Sequence, residues 1–217
     1  MNFFSQTEKD FIQNTRTPNP SKSLPIWQLL SRIERFDPTT YLHLVNVSKL
    51  STLIGYEMSL NTASVEDLRL AGLVHDIGKM FVPEEILNKP SSLSKPEYEI
   101  IKEHVPSGAE HLNSLGFTEQ VVTIISQHHE RLDGSGYPHG LAAEDILIES
   151  RVLAVADSLD AMAADRPYRR SLGITKSLEI LVEEQGKTLD QDVIETVLKI
   201  HKRGDFLKLI EIGSYLS

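Results

Sequence analysis

The sequence of 217 residues contains no cysteine. Disulfides, thiolate metal sites and a cysteine nucleophile are thereby excluded, and any metal is left to imidazole and carboxylate donors. Iron, manganese, zinc and nickel all accept such donors. No stretch reaches the ~18 consecutive apolar residues that a membrane span needs, and the amino-terminal residues lack a basic start followed by an apolar run. A cytoplasmic protein with no membrane contact is the expectation. Positive charge is in deficit, with a formal net charge of −9, which argues against broad binding to DNA, since that requires a basic surface. A small anionic ligand held by a local cluster such as Arg166, Arg169 and Arg170 remains compatible. No segment alternates with period two over a useful length, and there is no repeat. The expected class is all-α, in one domain.

What is present supports that class. After a polar lead-in over 1–23, Ile26, Leu29, Leu30 and Ile33 fall at helical spacing. Asp37-Pro38 reads as a cap and first turn, opening a helix that carries His43 and stops at Gly55. Ser64 with Asp67 is a weakened capping box before a run of Leu, Ala and Val that is apolar on nearly every side and ends at Gly78. Ser94 with Glu97 is a better capping box, leading towards His104, where Pro106 predicts a helix end or kink. Thr118 caps a helix that delivers the chain to His128 and His129. Later helices are expected over 148–164, 175–184 and 190–202, with a short amphipathic helix over 205–217.

The polar residues inside this apolar framework carry the chemistry. On a helix His128 and His129 point about 100° apart, so packing has use for one of them but not both. His75 and Asp76 sit at the edge of a buried element, where a polar group has to be paired or bound to metal. A lone His-Asp pair is most simply a satisfied hydrogen bond. Counted together, His43, His75, Asp76, His104, His128, His129 and Asp157 are more ligands than one ion takes, and suit two ions sharing a carboxylate. Two ions about 3.5–4 Å apart are a recurring device for phosphate ester hydrolysis.

The segments His75-Asp76-Ile77-Gly78-Lys79, His128 through Pro138 (H-H-E-R-L-D-G-S-G-Y-P), and Asp157-Ser158-Leu159-Asp160 through Arg169 resemble the signature of the HD-GYP family. That family is a branch of the HD phosphohydrolase superfamily that hydrolyses cyclic di-GMP. The similarity runs in order from about Asp37 to Lys202. It implies an HD-type helical bundle over 24–204, with a metal centre in its core and the GYP loop beside it. His43, His75, Asp76 and Asp157 would form one metal site, and Asp76 would bridge to a second ion held by His104, His128 and His129. Two divalent ions are expected, with iron or manganese favoured over zinc or nickel. Some family members hold a third ion with a glutamate where this chain has Thr39, a poor substitute for a carboxylate.

The resemblance further implies that a hydroxide shared by the two ions opens the cyclic dinucleotide to pGpG, with GMP as a further product. Lys79 matches the lysine on the scissile phosphate, although a cation at a helix end needs no function. Arg166 and Arg169 match cationic contacts to the ligand phosphate, and Tyr137 would face a guanine unless the glycines around it simply build a turn. Asp37 is a helix cap and a weaker catalytic candidate. His111, His139 and His201 are not taken as ligands. The competing readings are a phosphodiesterase for a mixed guanine-adenine cyclic dinucleotide, and a module that binds cyclic di-GMP without turnover or docks on a signalling partner such as a diguanylate cyclase.

Overall fold

The computed structural model describes residues 26–164 and 170–204. Arg166 and Arg169, the lead-in over 1–23 and the expected helix over 205–217 lie outside the described residues. The described chain is helical, with α1 (Ile26–Phe36), α2 (Pro38–Glu57) and α3 (Thr62–Val74) followed by a 3-10 helix (Ile77–Phe81). Then come α4 (Glu84–Leu87), α5 (Lys95–Lys102), α6 (His104–Ser114), α7 (Glu119–Ser126), a second 3-10 turn (Ala143–Asp145), α8 (Ile148–Ala163), α9 (Gly173–Glu184) and α10 (Gln191–Arg203). No strand occurs among the described residues. No helix among them is long and apolar enough to cross a membrane.

The centre is a layer formed by α2, α3 and α8, with α2 packed along α3 and against α8. All three are apolar nearly all round, the pattern of helices buried on several sides. The α2 and α3 backbones almost touch. A Cβ on Gly72 would lie 2.5 Å from Ser48 Cα, and Ser48 Oγ donates to the Arg69 carbonyl at 2.7 Å. Helices α7, α9 and α10 close the core around Leu153, Leu159, Leu181 and Ile194.

Side-chain caps mark half of the ten α-helix starts among the described residues. The Asp37 carboxylate accepts from the amides of Thr39 and Thr40, Ser94 and Glu97 form a complete capping box, and Thr118 and Asp190 cap α7 and α10. Three expectations change. Asn61, not Ser64, caps α3, accepting from the Ser64 amide at 3.0 Å and so starting the helix earlier. Gly55 does not stop α2, which continues to Glu57. A Cβ there would meet Leu68 Cδ1 at 2.9 Å, so the glycine serves the approach to α3. Gly78 does not end α3 either, because that helix ends at Val74 and the chain re-enters as the 3-10 turn.

Candidate metal centre

Each polar residue of the centre sits at a helix end or faces inward from α2 or α8. His43 comes from the middle of α2 and Asp157 from α8, while His75 follows the last residue of α3. Ligand atoms of His43, His75 and Asp157 lie within 4.8 Å of one another. A second group, Asp76, His104, His128 and His129, meets the same criterion. Asp76 joins the two. Its Oδ2 is 3.6 Å from Nε2 of both His43 and His75, and its Oδ1 is 3.4 Å from Nε2 of His104.

One device orients three of the histidines. Nδ1 of His75 lies 3.0 Å from the Gly72 carbonyl, that of His104 2.7 Å from Ile101 O, and that of His128 2.5 Å from Ile125 O. In each case the acceptor is the carbonyl three residues back, an orphan of a helix end. The proton is thereby held on Nδ1 and the Nε2 lone pair is turned inward. Those Nε2 atoms are buried and have no hydrogen-bond partner among the described residues. An orphaned buried acceptor costs about 1–3 kcal/mol, and three of them converging beside carboxylates is a donor set that fits divalent metal.

His128 and His129 do not point 100° apart. Helix α7 ends at Ser126, both histidines lie in the following turn, and their rings are 3.9 Å apart at 39°. Tyr137 covers the outer side of His129, its ring stacked at 4.7 Å and 29°. The loop achieves this through Gly136, where a Cβ would come within 2.5 Å of Arg131 N and His129 O. Glu130, 2% exposed, pins the loop by accepting from the amides of His139 at 2.7 Å and Leu141 at 3.0 Å.

Lys79 Nζ is 2.5 Å from Asp76 Oδ2, because the 3-10 turn nearly eclipses residues three apart. Asp37 is spent on capping, with Oδ2 also accepting from Thr40 Oγ1 at 2.6 Å. Thr39 and His111 belong to neither ligand group, and His111 meets Phe81 edge-on instead. His139 and His201 are exposed.

Three supporting residues emerge only in the structure. Asp160 Oδ2 lies 2.7 Å from His43 Nδ1, orienting that ring as the carbonyls orient the others. Its signal was the spacing of three from Asp157 on one helix face. Gln127 accepts from the Leu147 amide and Ser150 Oγ at 2.9 and 3.1 Å, tying the GYP loop's exit to α8. Glu130 stood within the signature, but nothing local showed what it accepts.

Burial would lower the pKa of His43, but hydrogen bonds to Asp157 and Asp160 outweigh it and raise the value to about 9. Burial holds His104 low and, with His129 and His75 beside it, His128 lower still. His129 falls to about 3, again through burial. Burial opposes charge on Asp76 and Asp157, yet Lys79 and the histidines keep Asp76 well below the usual range, and His43 and His75 do so for Asp157. The signs give opposite limbs. The contribution of His129, whose folded pKa is depressed, is complete above its ordinary value of about 6.5 and is lost as pH falls towards 3. That of His43, whose folded pKa is raised, is complete below about 6.5 and is lost as pH rises through 9. Urea unfolding of chelator-treated protein should therefore show greatest stability near pH 6.5, with losses at pH 4.5 and pH 9. A steady rise from pH 6.5 to 9 would contradict this, and Asp160→Asn should flatten the alkaline limb.

Fold and site together define an all-α domain with a two-part imidazole and carboxylate donor cluster joined by Asp76. The HD domain family model matches residues 7–193, and a cyclic di-GMP phosphodiesterase of Pseudomonas aeruginosa is 39% identical over 171 residues, covering 78% of this chain and 41% of that protein. A 3'3'-cGAMP-specific phosphodiesterase of Vibrio cholerae is 38% identical over 161 residues, covering 74% of this chain and 37% of that protein. A crystal structure of another cyclic GMP-AMP phosphodiesterase of that species shares the fold, with a TM-score of 0.63 at 20% identity over 87% of this chain and 50% of the other. The chain belongs to the HD domain family, and its signature segments place it in the HD-GYP branch. It spans less than half the length of these two relatives.

Proposed function

We propose that the chain is a metal-dependent phosphodiesterase that opens cyclic di-GMP to linear pGpG, with GMP as the product of a second cleavage. The observation that carries this reading is the single carboxylate of Asp76 with one oxygen towards each ligand group. His43, His75, Asp76 and Asp157 would hold one ion, and His104, His128 and His129, with Asp76, a second. Iron or manganese is the proposed pair, both being open to imidazole and carboxylate donors. When bound, such a pair supplies Lewis-acid polarisation of the phosphodiester and an activated water.

The chain's own residues prepare that chemistry. The Nδ1 protons of His75, His104 and His128 stay on their carbonyls, so the inward nitrogens need no deprotonation. Lys79, one turn beyond His75 and paired here with Asp76, would contact the scissile phosphate, where its charge would stabilise the developing anion. Tyr137 and the pinned loop form a wall that limits water at the second group. Arg166 and Arg169 remain the proposed cations for the second phosphate.

The Vibrio relative named for cGAMP, 38% identical, favours a second substrate of the same class, a mixed guanine-adenine cyclic dinucleotide. The test is turnover by the full chain reconstituted separately with iron, manganese and zinc, with products separated by chromatography. At least one metal should give pGpG from cyclic di-GMP. No turnover with any metal, alongside retained nucleotide binding, would instead make the chain a sensor or a docking module for a partner such as a diguanylate cyclase.

A further inference from the structure

Tyr98 and Lys102 lie one turn apart on α5, outside both ligand groups and outside the machinery described so far. Tyr98 is 45% exposed. Its ring stands edge-on to Tyr137, with centroids 6.3 Å apart at 80°. Lys102 Nζ sits in the corner between the two rings, 5.1 Å from the Tyr98 centroid and 5.5 Å from that of Tyr137. Glu99 Oε1 accepts from Lys102 at 2.8 Å and holds the ammonium there. Tyr137 in turn stacks on His129 and meets His104 edge-on at 6.5 Å. A line of rings thus runs from the exposed Tyr98 to the second ligand group, with one cation set into it.

A surface ion pair with Glu99 would account for little of this, since exposed pairs contribute little and need no aromatic corner. A planar base next to a phosphate bound at the metal group would use all of it. We propose that this corner seats a guanine of the substrate: the base stacks on the exposed face of Tyr98, and Lys102 donates to O6 and N7. This rests on the reading of the site as one for cyclic dinucleotides. The choice of base follows from donor and acceptor count. Guanine presents two acceptors on that edge, which an ammonium with three donors matches, whereas adenine presents N7 beside an amino group that opposes the ammonium. One guanine is enough, so cyclic di-GMP and a mixed guanine-adenine dinucleotide both fit, and cyclic di-AMP does not.

The test is equilibrium dialysis of GMP and AMP against the metal-loaded full chain, with melting curves to confirm that the variants fold. Wild type should bind GMP about tenfold or more tightly than AMP, and Lys102→Met and Lys102→Gln should each reduce that preference to about twofold or less. Tyr98→Ala should weaken both nucleotides by about tenfold, and Tyr98→Trp should restore binding. With cyclic di-GMP, Lys102→Met should raise KM far more than it lowers kcat. An unchanged GMP preference in both Lys102 variants, or unchanged binding in Tyr98→Ala, overturns the proposal whatever the turnover. A Lys102-dependent GMP preference in a protein that hydrolyses no cyclic dinucleotide supports the corner and overturns the phosphodiesterase reading alone.

Discussion

Changing His75 and Asp76 together to alanine should abolish turnover of cyclic di-GMP while leaving the helical circular dichroism spectrum almost unchanged. His75 contributes an inward Nε2 to one group, and Asp76 turns one carboxylate oxygen towards each group. Loss of outer-shell partners alone costs about 10–100-fold in metal sites, so losing a donor and the shared carboxylate should cost more than about 10³-fold. The fold survives because, without metal, these groups hold charge and orphaned lone pairs in a buried place, 1% and 3% exposed. Removing such groups together relieves a desolvation cost as well as creating a cavity. Steady-state rates and melting curves of the same preparations check both halves. Retained activity would refute the site.

Gly78→Ala should do the reverse, damaging fold and site together. A Cβ there would fall 1.8 Å from the carbonyl oxygen of His104 and 2.8 Å from the Gly108 amide. Both obstacles are backbone, so no rotamer change relieves the overlap. The 3-10 turn and the start of α6 must separate, carrying Asp76 and Lys79 away from His104. Overpacking commonly costs about 1–3 kcal/mol, and this backbone clash should reach about 3 or more, lowering the melting temperature by roughly 6–12 °C for a chain of this size. Metal affinity should fall with it. Gly116→Ala is the control: φ is +80° but no atom lies within 4 Å, so about 1–2 kcal/mol of backbone strain is expected, with metal binding intact. Equal metal loss in both variants would contradict the proposed contact.

What the sequence made legible was local. The helix starts at Asp37, Ser94, Thr118 and Asp190 depend on residues within one turn of each other. Two glycines answer to distant parts of the chain instead: Gly55 faces the Leu68 side chain and Gly78 the His104 backbone, so neither is a stop. The same distinction holds at the centre. The imidazoles and carboxylates stood out because they interrupt apolar runs, and the structure brings His43, His75 and Asp157, and Asp76 with His104, His128 and His129, into two groups. Asp160, Glu130 and Gln127 did not stand out, since their partners lie 117, 9 and 20 residues away. The placement of Tyr137 against His129 combines the two earlier alternatives, because the glycine turn is what lays the ring on the histidine.

The central claim is that two ions share Asp76. The most direct measurement is the number of metal ions per chain in protein reconstituted with manganese or iron and passed through a desalting column, by elemental mass spectrometry against quantitative amino-acid analysis. Two ions per chain are expected in the wild type, falling to one in His129→Ala. One ion in the wild type, or three with Thr39 beside the third, would contradict the claim.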